Sequence, residues 1–130
     1  MFGAASIRNP VTHLGDISGT DIPDWYFEES GLPYTPTSLM TPEIYQKLFA
    51  MSPIYHVDKV KGDVPILLCI GEKDARVANS QGLAWYHALK GRGKDIKMLT
   101  LKEDSHALDS VDASRVVFKA TIELFQAARG

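Results

Sequence analysis

Residues 64–71, VPILLCIG, form a continuous apolar run bounded by Gly62 and Gly71, the pattern of a strand covered on both faces of a parallel sheet. Residues 96–101, IKMLTL, predict another strand. Residues 2–7, FGAASI, small and apolar, predict a short buried strand stopped by Arg8-Asn9-Pro10, where proline ends ladder pairing. Elsewhere apolar residues recur at helical spacing. Thr41 as N-cap, Pro42 at the first helical position and Glu43 in the first turn open a helix with Ile44, Leu48 and Met51 on one face. Asn79 or Ser80 caps a second, carrying Leu83, Tyr86 and Leu89 as far as Gly91 and Gly93. Ser110 caps the last, along which Val117, Ala120, Thr121, Leu124 and Ala128 follow.

Residues 12–36 read as loop, punctuated by Gly15, Gly19, Pro23, Gly31, Pro33 and Pro36. Within them Trp25, Tyr26 and Phe27 are too apolar for a bare linker. They either line part of a cavity or pack the excursion onto the sheet, with packing the favoured reading. The order is therefore strand, long excursion with a helix, strand, helix, strand, helix. That alternation implies βαβ units, right-handed crossovers and a parallel sheet, in which chemistry sits beyond the carboxyl ends of the strands. Asp74 follows one predicted strand and His106 the next, so both fall on that rim.

Composition narrows the possibilities. The 130 residues fit one domain, and 45% hydrophobic with 23% charged residues is an ordinary globular balance. The formal net charge of −2, with Lys59, Lys61, Lys90, Arg92 and Lys94 interleaved with Asp58, Asp63 and Asp95, argues against a nucleic-acid partner. No apolar stretch approaches a membrane span and the N-terminus lacks the pattern of a secretion signal. The single Cys69 cannot form an internal disulfide or a thiolate cluster. It is expected to pack, in a cytoplasmic, reducing compartment. His13, His56 and His87 lack metal-ligand spacing, so no metal and no cofactor is expected.

An aspartate after one strand and a histidine after the next supply two-thirds of a hydrolytic triad: the histidine takes the nucleophile's proton, and the carboxylate fixes its tautomer and steadies the imidazolium. The same residues also fit a plainer reading, in which Asp74 caps a turn and His106 is a surface loop residue. No G-x-S-x-G occurs, and Ser6, Ser18, Ser30, Ser38 and Ser52 all lack the paired glycines of a nucleophile elbow. The strand carrying such an elbow is expected before Met1. Asp104, two residues from His106, is poorly placed to orient it. His56 and Asp58 read as a helix end entering a solvated loop, and Glu72 and Glu103 as solvated carboxylates.

Several stretches resemble the acylaminoacyl-peptidases, or acylpeptide hydrolases, of the prolyl oligopeptidase family of serine peptidases: RNPV, GTDIPDW with ESGLPY, SPI with VDKVKGDVPILL, GEKDARV with QG and YHALKGRG, and SHAL. They run from Arg8 to the last helix. GEKDARV marks the wider family and GTDIPDW the acylaminoacyl-peptidases. The resemblance implies the C-terminal part of an α/β-hydrolase catalytic domain over residues 1–130, lacking the nucleophile-bearing half and, in the complete enzyme, usually set behind a β-propeller. It implies release of an N-acylated amino acid from a blocked peptide, with Asp74 as triad acid, His106 as triad base and Arg76 holding a substrate carbonyl. A guanidinium suits that last task, being always charged and rich in donors; a salt bridge to a loop carboxylate is the alternative. Ala78 departs from the proline that relatives often carry after the valine.

On this reading the substrate is an N-acylated peptide and the chain alone is inactive. Two alternatives stand beside it. One is a truncated, non-catalytic product that acts by association, forming oligomers or pairing through the exposed edge of its first strand. The other is a related peptidase, dipeptidyl or prolyl, or an esterase.

Overall fold

The computed structural model describes residues 3–16, 22 and 24–129. Three parallel strands, β1 (Ala5–Arg8), β2 (Ile66–Gly71) and β3 (Ile96–Leu101), lie side by side in the order β1-β2-β3. Ile7 stands opposite Leu68, and Leu68 opposite Met98. As the middle strand, β2 is buried at every position, which is why its sequence does not alternate. Pleating still divides it. Ile66, Leu68 and Ile70 pack with Trp85 and Leu89 of α3 (Asn79–Gly91), while Leu67 and Cys69 pack with Leu108 and with Val117 of α4 (Val111–Ala127). Side chains as fully buried as Leu68, Leu89 and Val117 each contribute about 1.5–3 kcal/mol.

The strands start later than the apolar runs. β2 begins at Ile66 because Pro65 has no N–H for the ladder; its carbonyl instead accepts from Ala5 N at 3.0 Å. β1 correspondingly begins at Ala5, and Phe2 lies outside the described residues. Among the described residues no strand pairs the outer edge of β1.

Between β1 and β2 the excursion folds on itself. A 3-10 turn (Leu14–Asp16) leads to α1 (Trp25–Glu29), then to α2 (Pro42–Met51) and a 3-10 segment (Pro53–Lys59). Tyr26, Phe27 and Leu48 form a small separate core with Leu14 and Ile44 at its margin. The Thr41 hydroxyl accepts from Ile44 N at 3.3 Å, so the expected N-cap holds. Met51, expected on the inner face, stands 52% exposed. The helix ends there, and Ser52 turns inward instead, its hydroxyl donating to Leu48 O at 2.6 Å and accepting from Leu14 N at 2.9 Å.

The start of α3 also differs from expectation. Ala78, not Asn79 or Ser80, is the N-cap and no side chain caps it. Asn79 is the first helical residue, and its side-chain amide donates to Glu72 O at 3.1 Å, tying the helix to the preceding loop. The buried face carries Gln81, Gly82, Trp85 and Leu89, while Leu83 points outward. The close approach explains the phase: a Cβ on Gly82 would lie 2.6 Å from the Ile70 side chain, so the helix turns its glycine to the strand. In α4 the Ser110 hydroxyl accepts from Ala113 N at 3.2 Å as expected. Thr121 hydrogen-bonds Ser6 of β1 across 2.9 Å. Among the described residues no helix is long and apolar enough to cross a membrane.

Candidate active site

The loops leaving β2 and β3 meet at the carboxyl rim of the sheet. His106 Nδ1 donates to Asp74 Oδ2 at 2.8 Å. The other oxygen, Oδ1, accepts from Arg76 N at 2.8 Å and Val77 N at 2.9 Å. Asp74 thus does both things the sequence left open: it closes its own turn with one oxygen and grips an imidazole with the other. Its side chain is fully buried while that of His106 is 38% exposed. With Nδ1 carrying the proton towards the carboxylate, Nε2 carries the lone pair, and among the described residues nothing hydrogen-bonds Nε2. A base needs that arrangement.

The loop holding His106, residues 102–110, has no regular structure, so its shape rests on individual contacts. Lys73 N donates to Asp104 O at 2.9 Å and Glu72 N to Leu101 O at 3.0 Å, joining the acid loop to the base loop. Asp104, passed over as the orienting acid, is occupied elsewhere: its carboxylate accepts from the Ser110 hydroxyl at 3.0 Å and from Ser110 N at 3.3 Å. Leu108 sits at φ 52°, a left-handed conformation unfavourable for its side chain, and is held by burial beside Leu67 and Cys69. Gly71, read from sequence only as a strand boundary, is required by close approach. A Cβ there would run into the backbone oxygens of Ser105 and Asp104. Asn9, read from sequence as part of a strand stop and of the RNPV stretch, is buried and hydrogen-bonds both β2 and this loop.

A cavity of about 260 Å³ opens beside the pair, lined by Val11, Ile22, Trp25, Arg76, Val77 and His106. Among the described lining residues only Arg76 and His106 carry an ionisable side chain. All three aromatics pack the excursion, Tyr26 and Phe27 buried in its core and Trp25 partly buried against it, and Trp25 lines the cavity as well. Of the GTDIPDW stretch, only Ile22, Asp24 and Trp25 are among the described residues. The excursion is fastened to α3 through buried Gln81, whose side-chain oxygen accepts from Thr12 N at 2.8 Å and His13 N at 2.7 Å and whose amide donates to His13 O at 2.8 Å. The neighbouring Thr12 hydroxyl donates to Gln81 O at 2.8 Å.

The remaining candidates lie apart from the cavity. His56 hydrogen-bonds Ala50 O at 3.1 Å within a 3-10 segment rather than an open loop. Asp58 pairs with Arg92, which holds its carboxyl below the usual range. Glu103 pairs with Lys73 at the surface, and Glu72 is exposed. Cys69 is buried, and burial pushes its thiol above the ordinary range. Among the described residues no three His, Cys, Asp or Glu side chains are grouped to hold a metal ion.

The model of the prolyl oligopeptidase family matches residues 1–129. The chain is 37% identical over 122 residues to the acylamino-acid-releasing enzyme of Mus musculus, covering 93% of this chain and 16% of that enzyme. It is 42% identical over 110 residues to the acylamino-acid-releasing enzyme of Arabidopsis thaliana, covering 83% of this chain and 14% of that one. Among solved structures, the acylaminoacyl peptidase of Pyrococcus horikoshii superposes with a TM-score of 0.74 at 27% identity, over 96% of this chain and 20% of that one. The chain thus spans less than a fifth of the curated relatives it matches. Its three parallel strands and flanking helices are an α/β-hydrolase arrangement, and the chain belongs to the prolyl oligopeptidase family.

Proposed function

We propose that this chain supplies the acid, the base and a substrate-holding cation of a serine peptidase that releases an N-acylated amino acid from blocked peptides. The observation that carries the proposal is the 2.8 Å hydrogen bond between His106 Nδ1 and Asp74 Oδ2 beside a cavity that Arg76 also lines. In this scheme Nε2 takes the proton of a serine hydroxyl as it attacks the scissile carbonyl, then returns it to the leaving amine. The Asp74 carboxylate steadies the imidazolium between the two steps. Arg76 grips the acyl carbonyl without changing protonation state, and the apolar wall receives the side chain. Relatives named acylamino-acid-releasing enzymes support this substrate class.

Nucleophile and oxyanion donors come, in this reading, from outside the 130 residues, since no G-x-S-x-G occurs within them. Residues 1–130 are then one part of a catalytic domain, and alone hydrolyse neither acetyl-amino-acid anilides nor esters. A cytoplasmic setting fits the lone, unpaired Cys69. The test is a graft. The chain replaces the corresponding segment of the mouse relative, and the hybrid is assayed on acetyl-alanine, free-alanine and dipeptidyl anilides. Preference for the acetylated substrate, weakened by Arg76→Ala, is the expected result. Equal or better cleavage of the dipeptidyl substrate would reassign the substrate class.

A second reading, association without catalysis, rests on a separate observation. The outer edge of β1 borders a cavity of about 600 Å³ lined by Ala5, Ile7, Val60, Trp85 and Phe125 among others, and Phe118 and Ile122 of α4 are also exposed. Unpaired parallel edges with apolar flanks recruit a partner strand. Light scattering on the purified chain checks this: concentration-dependent oligomers favour it, and a monomer at high concentration removes it.

A further inference from the structure

We propose that Asn9 is a positioning residue for His106, holding the base loop against the end of β2 so that the imidazole meets Asp74; this rests on the acid–base reading above. Asn9 follows β1 and is 6% exposed, at φ 37°, a left-handed conformation that asparagine tolerates better than other side-chain-bearing residues. Its backbone N–H continues the ladder to Cys69 O at 2.9 Å, so the residue is fixed to the central strand. Its side chain then points along the rim. Oδ1 accepts from Gly71 N at 2.9 Å, and Nδ2 donates to His106 O at 2.8 Å and to Ser105 O at 3.3 Å.

One planar amide thus joins β1, the last residue of β2 and the peptide that carries the imidazole. The task needs an acceptor and a donor at the end of a short stem, which asparagine has and an ionised aspartate lacks. It also needs Gly71, because the Ser105 carbonyl that Asn9 grips occupies the place of a Cβ. The other anchors of this loop act on Asp104, Ser110 and Leu108. Among the described residues, Asn9 is the one side chain bonded to the backbone of His106 itself. Without it, Ser105 and His106 lose their hold on the sheet while the rest of the loop keeps its bonds.

The experiment is proton and nitrogen NMR of the His106 imidazole in the labelled 130-residue chain, with Asn9→Gly, Asn9→Asp and Asp74→Asn beside the wild type. Glycine keeps the left-handed backbone and removes the side chain. Aspartate keeps the backbone and the acceptor for Gly71 N but cannot donate to His106 O. The wild type is expected to show a protected, low-field Nδ1 proton, and Asp74→Asn to weaken it. Both Asn9 variants are expected to retain the dispersed methyl spectrum of the fold while that proton exchanges about tenfold faster or broadens away. Unchanged exchange in both Asn9 variants, beside a sensitive Asp74→Asn, overturns the positioning role alone. A wild-type proton that is absent, or indifferent to Asp74→Asn, overturns the acid–base reading and the positioning role together. If Asn9→Gly unfolds the chain, Asn9→Asp decides, and unfolding of both overturns the proposal by making Asn9 a general support of the fold.

Discussion

The two sides of the cavity are held by different forces. On one side, Asp74 and His106 sit in irregular loops whose positions come from polar contacts: two N–H groups on Asp74 Oδ1, an imidazole on Oδ2, a backbone hydrogen bond from Lys73 N to Asp104 O, and the Asn9 amide. On the other, Trp25 belongs to a short helix fixed by apolar burial of Tyr26, Phe27 and Leu48, and the start of the excursion, at Thr12 and His13, is fastened to α3 through Gln81. Hydrogen bonds set direction and distance, which proton transfer requires. Apolar packing sets shape and volume and tolerates volume-conserving change. On the proposed reading the rim governs whether chemistry occurs, and the excursion governs what fits beside it.

Breaking the rim has the largest expected effect. Asp74→Asn keeps an oxygen for Arg76 N and Val77 N but no longer fixes the proper imidazole tautomer. In the grafted enzyme it is expected to lower kcat by about 10⁴-fold, with the melting curve little changed. Breaking the excursion reverses the pattern. Leu48→Ala empties a fully buried position and is expected to cost about 2–5 kcal/mol in denaturant unfolding, while the NMR signal of the Asp74–His106 pair persists. Gln81→Ala lies between the two, leaving Thr12 N and His13 N without their buried acceptor. A loss of about 1–3 kcal/mol is expected, with a rise in KM exceeding the fall in kcat, because it loosens the wall and not the base.

The smallest effect probes the sheet that both sides share. Burial raises the Cys69 thiol above its ordinary range, outweighing the opposing pull of Arg8. As pH rises past the ordinary thiol range, the unfolded chain ionises there first and binds fewer protons than the folded one. Stability then falls with pH, its contribution intact below that range and lost as pH climbs towards the folded value. Native protein should accordingly resist alkylation at pH 8, and Cys69→Ala should flatten the alkaline limb of a stability-versus-pH curve.

Much of this was legible in the sequence because it depends on local pattern. The run from Val64 to Gly71 announces a strand covered on both faces, of which β2 takes Ile66–Gly71, residues 96–101 match β3, and Thr41 and Ser110 cap their helices as their positions imply. Strand order placed Asp74 and His106 on one rim before any distance was known. Features set by tertiary contact were not legible. Whether Asn79 caps α3 depends on Glu72 offering it a carbonyl, and the phase that exposes Leu83 follows from how closely Gly82 approaches Ile70. Asn9 and Gly71 looked like punctuation because their roles lie with the loop around Ser105, almost a hundred residues away in sequence for Asn9 and 34 for Gly71. The RNPV resemblance included Asn9 but carried no hint of its partners.

The central claim is that His106, oriented by Asp74, is the base of a serine hydrolase site. The most direct measurement is the rate at which a fluorophosphonate probe labels the grafted enzyme, since that reaction requires a serine activated by its base whatever the substrate class. The account predicts rapid labelling with this chain's sequence in place, and labelling slowed about a thousandfold or more by His106→Ala in a hybrid of unchanged melting temperature. Equal labelling rates with and without the imidazole would contradict it.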